Sequence, residues 1–270
     1  MSDAGPWTIG RLLDWSTKWL SERGGASPRL DAELLLGSAL SAERLDLYLN
    51  FDKPCDADEL AAFKKLLIRR GRGEPVAYIL QSKGFHAIDL KVGPGVLVPR
   101  PETEYLVDHV LAAVGDAGPS GPLLDFCTGS GAIALALAHA WRDVAELPPI
   151  IGSDTSQRAL AYAHDSAENL GLADRVELVH ATGLQPLQDR GPFAVIVSNP
   201  PYVLSETVTK LEPDVRDFEP HVALDGGVDG ADVLREIASW APQLLRSGGV
   251  LAVELGSAAQ GALFVELCKS

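Results

Sequence analysis

The chain has 270 residues, 46% of them hydrophobic, which is enough apolar material for one large domain or two smaller ones with separate cores. Its net charge is −14, and residues 91–270 carry most of it, with 11 Lys and Arg against 24 Asp and Glu. Because such an acidic half repels phosphate backbones, we expect no stable nucleic-acid binding.

The sequence shows no targeting, membrane or metal signal. Residues 1–10 lack a basic start followed by an apolar run, and no stretch approaches the roughly 18 apolar residues of a membrane helix. Cys55, Cys127 and Cys268 are too widely spaced for a zinc site or a disulfide framework, and the histidines show no ligand spacing. We therefore expect a cytoplasmic protein with reduced thiols, no membrane attachment and no metal.

The first part of the chain has the periodicity of helices. Apolar residues recur at helical spacing over Ile9–Leu20 until Gly24-Gly25 interrupts the pattern. Ser27-Pro28 begins a second helix, and a third runs from about Asp56 to Gly71. We predict a small helical domain over residues 1–80.

The pattern then changes to alternation. Phe85, Ile88 and Leu90 have strand spacing, and the Gly93–Gly95 turn precedes a short apolar run. We predict a β-hairpin between Lys83 and Val98 that forms a linker over residues 81–98.

Residues 99–270 alternate between strands and helices, which predicts an α/β domain with a mostly parallel sheet. The apolar runs are continuous, as in strands that are buried on both faces. The predicted strands are Pro122–Phe126, Ile150–Ser153, Val176–His180, Phe193–Ser198 and Val250–Glu254, and the helices between them include Ala132–Ala140 and Gln157–Leu170.

A glycine turn follows the first of these strands. It reads Asp125-Phe126-Cys127-Thr128-Gly129-Ser130-Gly131, and its glycines let the backbone approach a ligand. Asp154, at the end of the second strand, is placed to accept hydrogen bonds from both ribose hydroxyls of a nucleoside. Cys127 occupies the first glycine position of the dinucleotide fingerprint. The turn instead resembles the first motif of S-adenosylmethionine-dependent methyltransferases with a Rossmann-like fold.

The fourth strand ends in Asn199-Pro200-Pro201-Tyr202, a turn that the two prolines stiffen. The Asn199 side-chain oxygen and the Pro200 carbonyl can accept both N–H groups of an amide or exocyclic amine, so that its lone pair points at a methyl donor. Tyr202 can pack on the flat target group. Such a turn acts by positioning and needs no metal or strong base. It is shared by enzymes that methylate adenine N6, cytosine N4, guanine N2 and glutamine amides, so the target molecule stays open at this point.

Nearly the whole chain resembles the glutamine N5-methyltransferases that modify peptide chain release factors. The Pro-Arg-Pro-Glu-Thr-Glu run at residues 99–104 is the most specific match, since nucleic-acid methylases are not expected to carry it. The matching segments are Arg29–Leu36, Arg70–Ile79, Leu97–Glu104, Asp125–Gly131, Asp154, Asn199–Tyr202 and Ala223–Gly230.

The resemblance implies methylation of the glutamine in the Gly-Gly-Gln loop of release factors during translation termination. It implies that S-adenosylmethionine is held by Asp125, by the loop Cys127, Thr128, Gly129, Ser130 and Gly131, and by Asp154 and Asn199. Asn199, Pro200, Pro201 and Tyr202 would hold the glutamine, with Asn199, Pro200 and Tyr202 as the catalytic group. The helical domain would grip the release factor.

Three departures from the family pattern stand out. Cys127 replaces the family's first loop glycine, and Ala181-Thr182 replaces a Gly-Asp pair whose acid faces the adenine. Adenine recognition would then rest on Thr182, Gly183 or backbone groups. The chain ends at Ser270, where the family continues into two further strands. We therefore expect the fifth strand to be a sheet edge, with marginal stability or dimerisation as the consequence.

Three other interpretations remain open. Glutamine methylation of a ribosomal protein is favoured by Cys127, which is frequent in those relatives. Methylation of nucleic-acid amino groups is favoured by the Asn-Pro-Pro-Tyr turn alone and opposed by the acidic catalytic half. A non-catalytic binding module fits the absence of an acid at position 182 and of the terminal strands.

Overall fold

The computed structural model describes residues 5–269, so the outer ends of the predicted domain ranges, at residues 1–4 and 270, lie outside the described residues. The chain divides into two compact units, Met1–Gln81 and Ser82–Ser270. Among the described residues, no helix is both long enough and apolar enough to cross a membrane.

Over residues 5–81, the first unit is a bundle of helices around a leucine-rich core. The helices are α1 (Ile9–Ser21), α2 (Pro28–Leu40), α3 (Arg44–Leu49), α4 (Ala57–Arg70) and α5 (Val76–Leu80). The predicted α1, α2 and α4 are confirmed, and α4 begins with a reciprocal capping box between Asp56 and Glu59. Neither α3 nor α5 was predicted, because six and five residues are too few for helical periodicity to show.

A buried carboxylate ties the helices of this unit together. Glu33, on α2, is 2% exposed and accepts hydrogen bonds from Arg29 Nε at 2.8 Å, from Arg44 Nη2 at 2.6 Å and from Tyr48. Burial opposes ionisation of Glu33, but these donors outweigh it and lower its pKa. Asp31 accepts a hydrogen bond from Arg70 Nε at 2.7 Å. The charged residues of α2 thus link α2 to α3 and α4.

The second unit begins with an antiparallel hairpin of β1 (Ser82–Phe85) and β2 (Ile88–Lys91). The hairpin packs within this unit, since Lys91 N donates to Ser166 Oγ at 2.9 Å. The predicted extension of the hairpin to Val98 is wrong: residues 92–98 contain no strand. The turn at Gly95, with φ of +99°, redirects this segment into the wall of a cavity.

The rest of the second unit is a five-stranded parallel sheet with helices, in the order β5-β4-β3-β6-β7, which confirms the predicted α/β fold. The strands are β3 (Leu123–Phe126), β4 (Ile150–Asp154), β5 (Val176–His180), β6 (Phe193–Ser198) and β7 (Leu245–Val253). The helices are α6 (Glu102–Val114), α7 (Ala132–Ala140), α8 (Gln157–Leu170), α9 (Ser205–Val208), α10 (Pro213–Arg216), α11 (Asp232–Leu244) and α12 (Ala258–Leu267), with 3₁₀ turns at Gln185–Arg190 and His221–Ala223.

The strand order reverses between β3 and β6. The chain runs outward from β3 through β4 to β5 and then returns to β6 on the other side of β3. In open α/β sheets, ligands bind at the carboxyl ends of the strands beside such a reversal. The topology therefore predicts that a ligand binds between the loops that follow β3 and β6.

The strand β7 lies at one edge of this sheet and, within the described residues, pairs with β6 alone. Its register is irregular, because Phe193 pairs with Leu245 while Val195 pairs with Val250. The extra residues include Gly248, whose φ is +72°. Such a bulge increases the local twist of an edge strand and weakens it as a template for further pairing.

A single glutamine on α12 connects three segments of the second unit. Gln260 is 7% exposed, and its Nε2 donates to Tyr202 O and to Gly230 O, both at 2.9 Å. Its Oε1 accepts from Gly256 N at 3.0 Å. Gln260 therefore holds the turn that follows β6, the loop that precedes α11 and the end of β7 in fixed relative positions.

We predict that Gln260→Ala lowers the free energy of unfolding by about 2–4 kcal/mol, because it leaves three backbone groups without partners. Urea denaturation of the whole chain measures the change. The matched control is Gln243→Ala, since the exposed Gln243 donates to Ser239 O at 3.3 Å and to no other group of residues 5–269. We expect this control to change stability by less than about 0.5 kcal/mol. Equal losses in the two variants would contradict the role of Gln260.

Candidate active site

A cavity of about 390 Å³ lies at the carboxyl ends of the parallel strands. This volume is typical of a small-molecule site. Four chain segments that follow β3, β4, β5 and β6 contribute to its walls: Cys127–Ser130, Asp154–Ser156, Ala181–Gly183, and Asn199 with Pro201. The cavity is thus located where the strand order places a ligand.

The register of the strands places these segments side by side at the carboxyl edge of the sheet. Phe126, the last residue of β3, pairs with Ser153 on one side and with Ser198 on the other. Ser198 Oγ donates to Phe126 O at 2.6 Å, and Thr128 N donates to Ser153 O at 2.9 Å. Because these bonds fix where each strand ends, the residues that follow converge on the same crevice.

The loop after β3 passes through left-handed backbone conformations. Cys127, Gly129 and Gly131 have φ values of +62°, +57° and +80°. A Cβ at Gly131 would lie 2.9 Å from the Leu135 side chain and 3.1 Å from the Ala163 side chain, so close packing requires glycine there. A Cβ at Gly129 would meet nothing within 4 Å, so glycine at this position serves the backbone conformation and keeps the loop open.

Asp125 lies beneath this loop. It is fully buried, it does not line the cavity, and its Oδ2 accepts from Thr128 Oγ1 at 2.6 Å and from Ala134 N at 3.0 Å. Its Oδ1 has no hydrogen-bond partner among the described residues. Burial is the main cause that raises the pKa of Asp125 to about 7. Asp125 is therefore placed to shape the loop, whereas the sequence predicted contact with the cofactor.

Asp154 lines the cavity at the end of β4. Its Oδ2 accepts from Gly129 N at 2.9 Å and its Oδ1 accepts from Ser156 N at 2.8 Å. Burial raises the pKa of Asp154, although these backbone donors oppose the shift. The carboxylate therefore connects the glycine loop to the start of α8, with acceptor capacity that remains for a ligand.

The end of β5 forms the next part of the wall. Thr182 and Gly183 both line the cavity, and Thr182 Oγ1 lies 3.2 Å from Thr155 Oγ1, at hydrogen-bond distance. A threonine offers a weaker acceptor than the acid that the family resemblance places there. The hydroxyls of Thr155 and Thr182 are placed to hydrogen-bond to each other next to Asp154.

Asn199 lines the cavity at the end of β6, and a hydrogen bond to α6 fixes the orientation of its side chain. Its Nδ2 donates to Thr103 Oγ1 at 3.0 Å, and Thr103 is 3% exposed on the first turn of α6. With the amide nitrogen engaged, Oδ1 is the atom of this side chain that can accept hydrogen bonds. The geometry therefore presents an acceptor at the cavity wall.

The remaining residues of this turn have different environments. Pro201 lines the cavity, whereas Pro200 is buried and neither Pro200 nor Tyr202 is part of the lining. The Tyr202 hydroxyl donates to Glu254 Oε1 at 3.1 Å. Burial, followed by the nearby Glu254 charge, raises the pKa of Tyr202 to about 12. The hydrogen bond thus connects the tyrosine ring to the end of β7, and its packing against a target group stays a prediction.

An ion pair fixes another residue of the cavity wall. Arg100, which lines it, donates from Nη2 to Glu219 Oε2 at 2.6 Å, and Glu219 is 5% exposed. Burial raises the pKa of Glu219 to about 7 even though Arg100 opposes the shift. The pair ties the segment after the hairpin to the segment around Val222 and Asp225, which also lines the cavity.

The predicted site residues are brought together with few exceptions. Those that line the cavity are Cys127, Thr128, Gly129, Ser130, Asp154, Thr182, Gly183, Asn199 and Pro201, and those that do not are Asp125, Gly131, Pro200 and Tyr202. The residues that were not predicted include Arg100, Thr103, Val233 and Glu236. The first two lie in the Pro-Arg-Pro-Glu-Thr-Glu run, which was a signal for them, whereas the two residues of α11 carry no sequence signal.

One group of side chains outside the cavity has the spacing of a metal site. Among residues 5–269, His164, Asp165 and Glu168 place their ligand atoms within 4.8 Å of one another on α8. All three are exposed, and exposed acidic groups of this kind are common without an ion. None of the three residues lines the cavity.

The cavity suits a nucleoside with an amino-acid tail. Its walls combine apolar side chains with an open glycine loop and with the Asp154 carboxylate, which is the donor and acceptor set that such a molecule needs. The fold is similar to that of the hMettl16 catalytic domain in complex with MAT2A 3′UTR hairpin 6, with a TM-score of 0.52 and 15% identity over 79% of this chain and 73% of that chain. The fold is therefore that of a Rossmann-like methyltransferase domain.

The sequence comparisons show which methyltransferase family the chain matches. The family model "PrmC N-terminal domain" matches residues 11–80, and the model "RMKL-like, methyltransferase domain" matches residues 109–212. The release factor glutamine methyltransferase of Geobacter sulfurreducens is 43% identical over 93% of this chain and 84% of that protein. The one from Rhodopirellula baltica is 41% identical over 93% of this chain and 84% of that protein. The chain belongs to the release factor glutamine methyltransferase family.

The buried Asp125 predicts a specific dependence of stability on pH. A carboxyl group with a raised pKa holds its proton more strongly in the folded than in the unfolded chain, so its contribution to stability is lost as pH rises from about 4 to about 7. We expect the free energy of unfolding of the wild type, relative to Asp125→Asn, to fall by up to about 4 kcal/mol across this range and to stay constant above pH 8.

Chemical denaturation at several pH values from about 4 to about 9 measures this difference. Asp116→Asn, at an exposed position, is the control and should give a curve parallel to that of the wild type. Parallel curves for wild type and Asp125→Asn would show that Asp125 does not retain its proton in the folded state.

Proposed function

We propose that this protein transfers a methyl group from S-adenosylmethionine to the side-chain amide N5 of the glutamine in the Gly-Gly-Gln loop of peptide chain release factors. The observation that carries this proposal is the Asn199 side chain, whose amide is fixed by Thr103 so that Oδ1 is its acceptor at the cavity wall. The names of the relatives support the choice of a release factor as substrate.

The glycine loop and Asp154 bind the cofactor in this proposal. The loop residues Cys127–Gly131 receive the methionine part, and the Asp154 carboxylate accepts hydrogen bonds from the ribose hydroxyls. S-adenosylmethionine supplies a methyl group on a positively charged sulfur, which is electrophilic without a metal. The acidic second unit favours a positively charged ligand.

Asn199 and Pro200 orient the glutamine. An amide nitrogen is a poor nucleophile because its lone pair is delocalised. The proposal requires the Pro200 carbonyl, which lies between the lining residues Asn199 and Pro201, to become accessible when the glutamine binds. If Asn199 Oδ1 and this carbonyl each accept one of the amide N–H groups, the nitrogen can pyramidalise and direct the lone pair at the methyl carbon. The N–C bond forms as the C–S bond breaks, S-adenosylhomocysteine leaves, and the nitrogen then loses a proton to water. Positioning contributes most of the rate in such a mechanism.

Three further residues, Tyr202, Pro201 and Arg100, support this geometry. Tyr202 acts as a positioning residue through its hydrogen bond to Glu254, and Pro201 supplies a rigid contact surface. Arg100, held by Glu219, presents a guanidinium that can bind a peptide carbonyl beside the glutamine. The helical unit recognises the body of the release factor.

A labelling experiment with separate substrates tests the proposal. The protein is incubated with S-adenosylmethionine carrying a radioactive methyl group and with a release factor, a total ribosomal-protein fraction or RNA. We expect label in the release factor, and none in a release factor whose Gly-Gly-Gln glutamine is replaced by alanine. Label only in ribosomal protein or only in RNA would overturn the choice of substrate. No label anywhere, together with no binding of S-adenosylhomocysteine in calorimetry, would favour a non-catalytic module.

The bond between Thr103 and Asn199 gives a second prediction. Thr103→Val has nearly the same shape but removes the acceptor, so the Asn199 amide loses its fixed orientation. We expect kcat to fall about 10- to 100-fold, the cost of a lost oriented hydrogen bond at a reacting group. The dissociation constant of S-adenosylhomocysteine should stay within about threefold, because the variant leaves the glycine loop and Asp154 intact.

Two further variants give the upper and lower limits of kcat for this comparison. Thr103→Ser keeps the hydroxyl and should restore most of kcat. Asn199→Ala sets the lower limit, with methyl transfer abolished and cofactor affinity retained within a few-fold. If Thr103→Ser were as slow as Thr103→Val, the loss would reflect packing on α6 and the orienting role would be refuted.

A further inference from the structure

Glu236 is a carboxylate in the cavity wall to which the reaction outlined above gives no role. It lies in the second turn of α11 and lines the cavity together with Val233. Its Oε1 accepts a hydrogen bond from Leu184 N at 2.8 Å, just beyond the end of β5. A Cβ at Gly183 would lie 2.5 Å from this oxygen, so the absence of a side chain at Gly183 makes room for the carboxylate.

The strand order indicates which part of the cofactor reaches this place. The reacting methionine end must lie near Asn199, at the reversal between β3 and β6, and Asp154 on β4 receives the ribose. The base extends from the ribose on the side away from the methionine. It therefore lies toward β5, the strand beyond β4, whose end carries Thr182, Gly183 and the Glu236 carboxylate.

We propose that Glu236 binds the exocyclic amino group of the adenine and so makes the site selective for 6-aminopurine cofactors. This inference rests on the placement of the ribose at Asp154 in the proposed function. Because Leu184 N–H holds Oε1, the second oxygen of Glu236 carries the main remaining acceptor capacity of the group. The amino group of adenine donates two hydrogen bonds, and an anionic oxygen is the strongest partner for one of them.

The same arrangement discriminates against a 6-oxopurine. A carbonyl oxygen at the 6 position offers only lone pairs, so it would face a carboxylate with which it cannot form a hydrogen bond. An unpaired buried polar group is costly, and sites that hydrogen-bond one substituent reject analogues that lack it. Glu236 thus supplies, from α11, the carboxylate that the family resemblance places at position 182 and that Thr182 lacks.

The test compares two ligands that differ only in the base, at the 6 position and in the hydrogen that the 6-oxo base carries on N1. Calorimetry measures the dissociation constants of S-adenosylhomocysteine and of S-inosylhomocysteine, its 6-oxo analogue, with the wild type and with Glu236→Gln. The glutamine keeps an oxygen for Leu184 N–H and so turns its amide nitrogen toward the base. We expect the wild type to prefer the adenosyl ligand at least tenfold. In Glu236→Gln this preference should fall at least tenfold, because the amide nitrogen donates to the 6-oxo group.

Two control variants separate this inference from the assignments on which it rests. Asp154→Asn should weaken both ligands by similar factors and leave their ratio unchanged, whereas the exposed Glu168→Gln should change neither. If Asp154→Asn has no effect, the proposed ribose site fails. If Asp154→Asn weakens binding but Glu236→Gln leaves the ratio unchanged, only the role of Glu236 fails.

The wild type alone also gives a decisive outcome. Equal affinity of the unchanged protein for the adenosyl and inosyl ligands would overturn the inference, whether or not the variants fold. Equal weakening of both ligands by Glu236→Gln would overturn it as well, since it would mean that the carboxylate acts on a part of the cofactor that the two ligands share.

Discussion

The hydrogen bond from Asn199 Nδ2 to Thr103 Oγ1 joins the turn after β6 to the helix α6, which precedes the sheet in the chain. In the proposed mechanism, a glutamine amide reacts only if its lone pair is directed, so the orientation of the Asn199 acceptor would control the chemistry. Without the threonine, Asn199 could present either its oxygen or its nitrogen at the wall. The backbone on which this pair rests is in turn fixed by the parallel register of β3 and β6.

Support for the site comes from both ends of the second unit. Thr103 and Arg100 reach it from the segment that enters α6, and Gln260 supports it from α12 through the backbone of Tyr202. Beneath the glycine loop, Asp125 is held without a full set of partners. A polar group kept in such an environment costs stability, which is common where a loop must hold one functional shape.

Periodicity and motifs predicted the parts that depend on local sequence. The parallel strands, the glycine turn, Asp154 and Asn199 were found because continuous apolar runs and short motifs mark them directly. The short helices α3 and α5 escaped because they span fewer than two turns, and the apolar run 96–98 was mistaken for a strand because its spacing cannot show that it lines a cavity. Glu236 reaches the end of β5 only through packing of α11, 52 positions away from its partner Leu184. No local pattern contains that information.

The left-handed backbone at Cys127 limits which side chains can occupy the first position of the glycine loop. A φ of +62° is free for glycine and costs an unbranched residue about 1–2 kcal/mol, whereas valine, isoleucine or threonine would place a branched Cβ against the following carbonyl. Cysteine is small enough to be accommodated there, and its side chain packs against the hydrophobic core of the second unit. Variation at this position is therefore restricted to slender side chains, so a residue that lines the cavity is selected by backbone geometry.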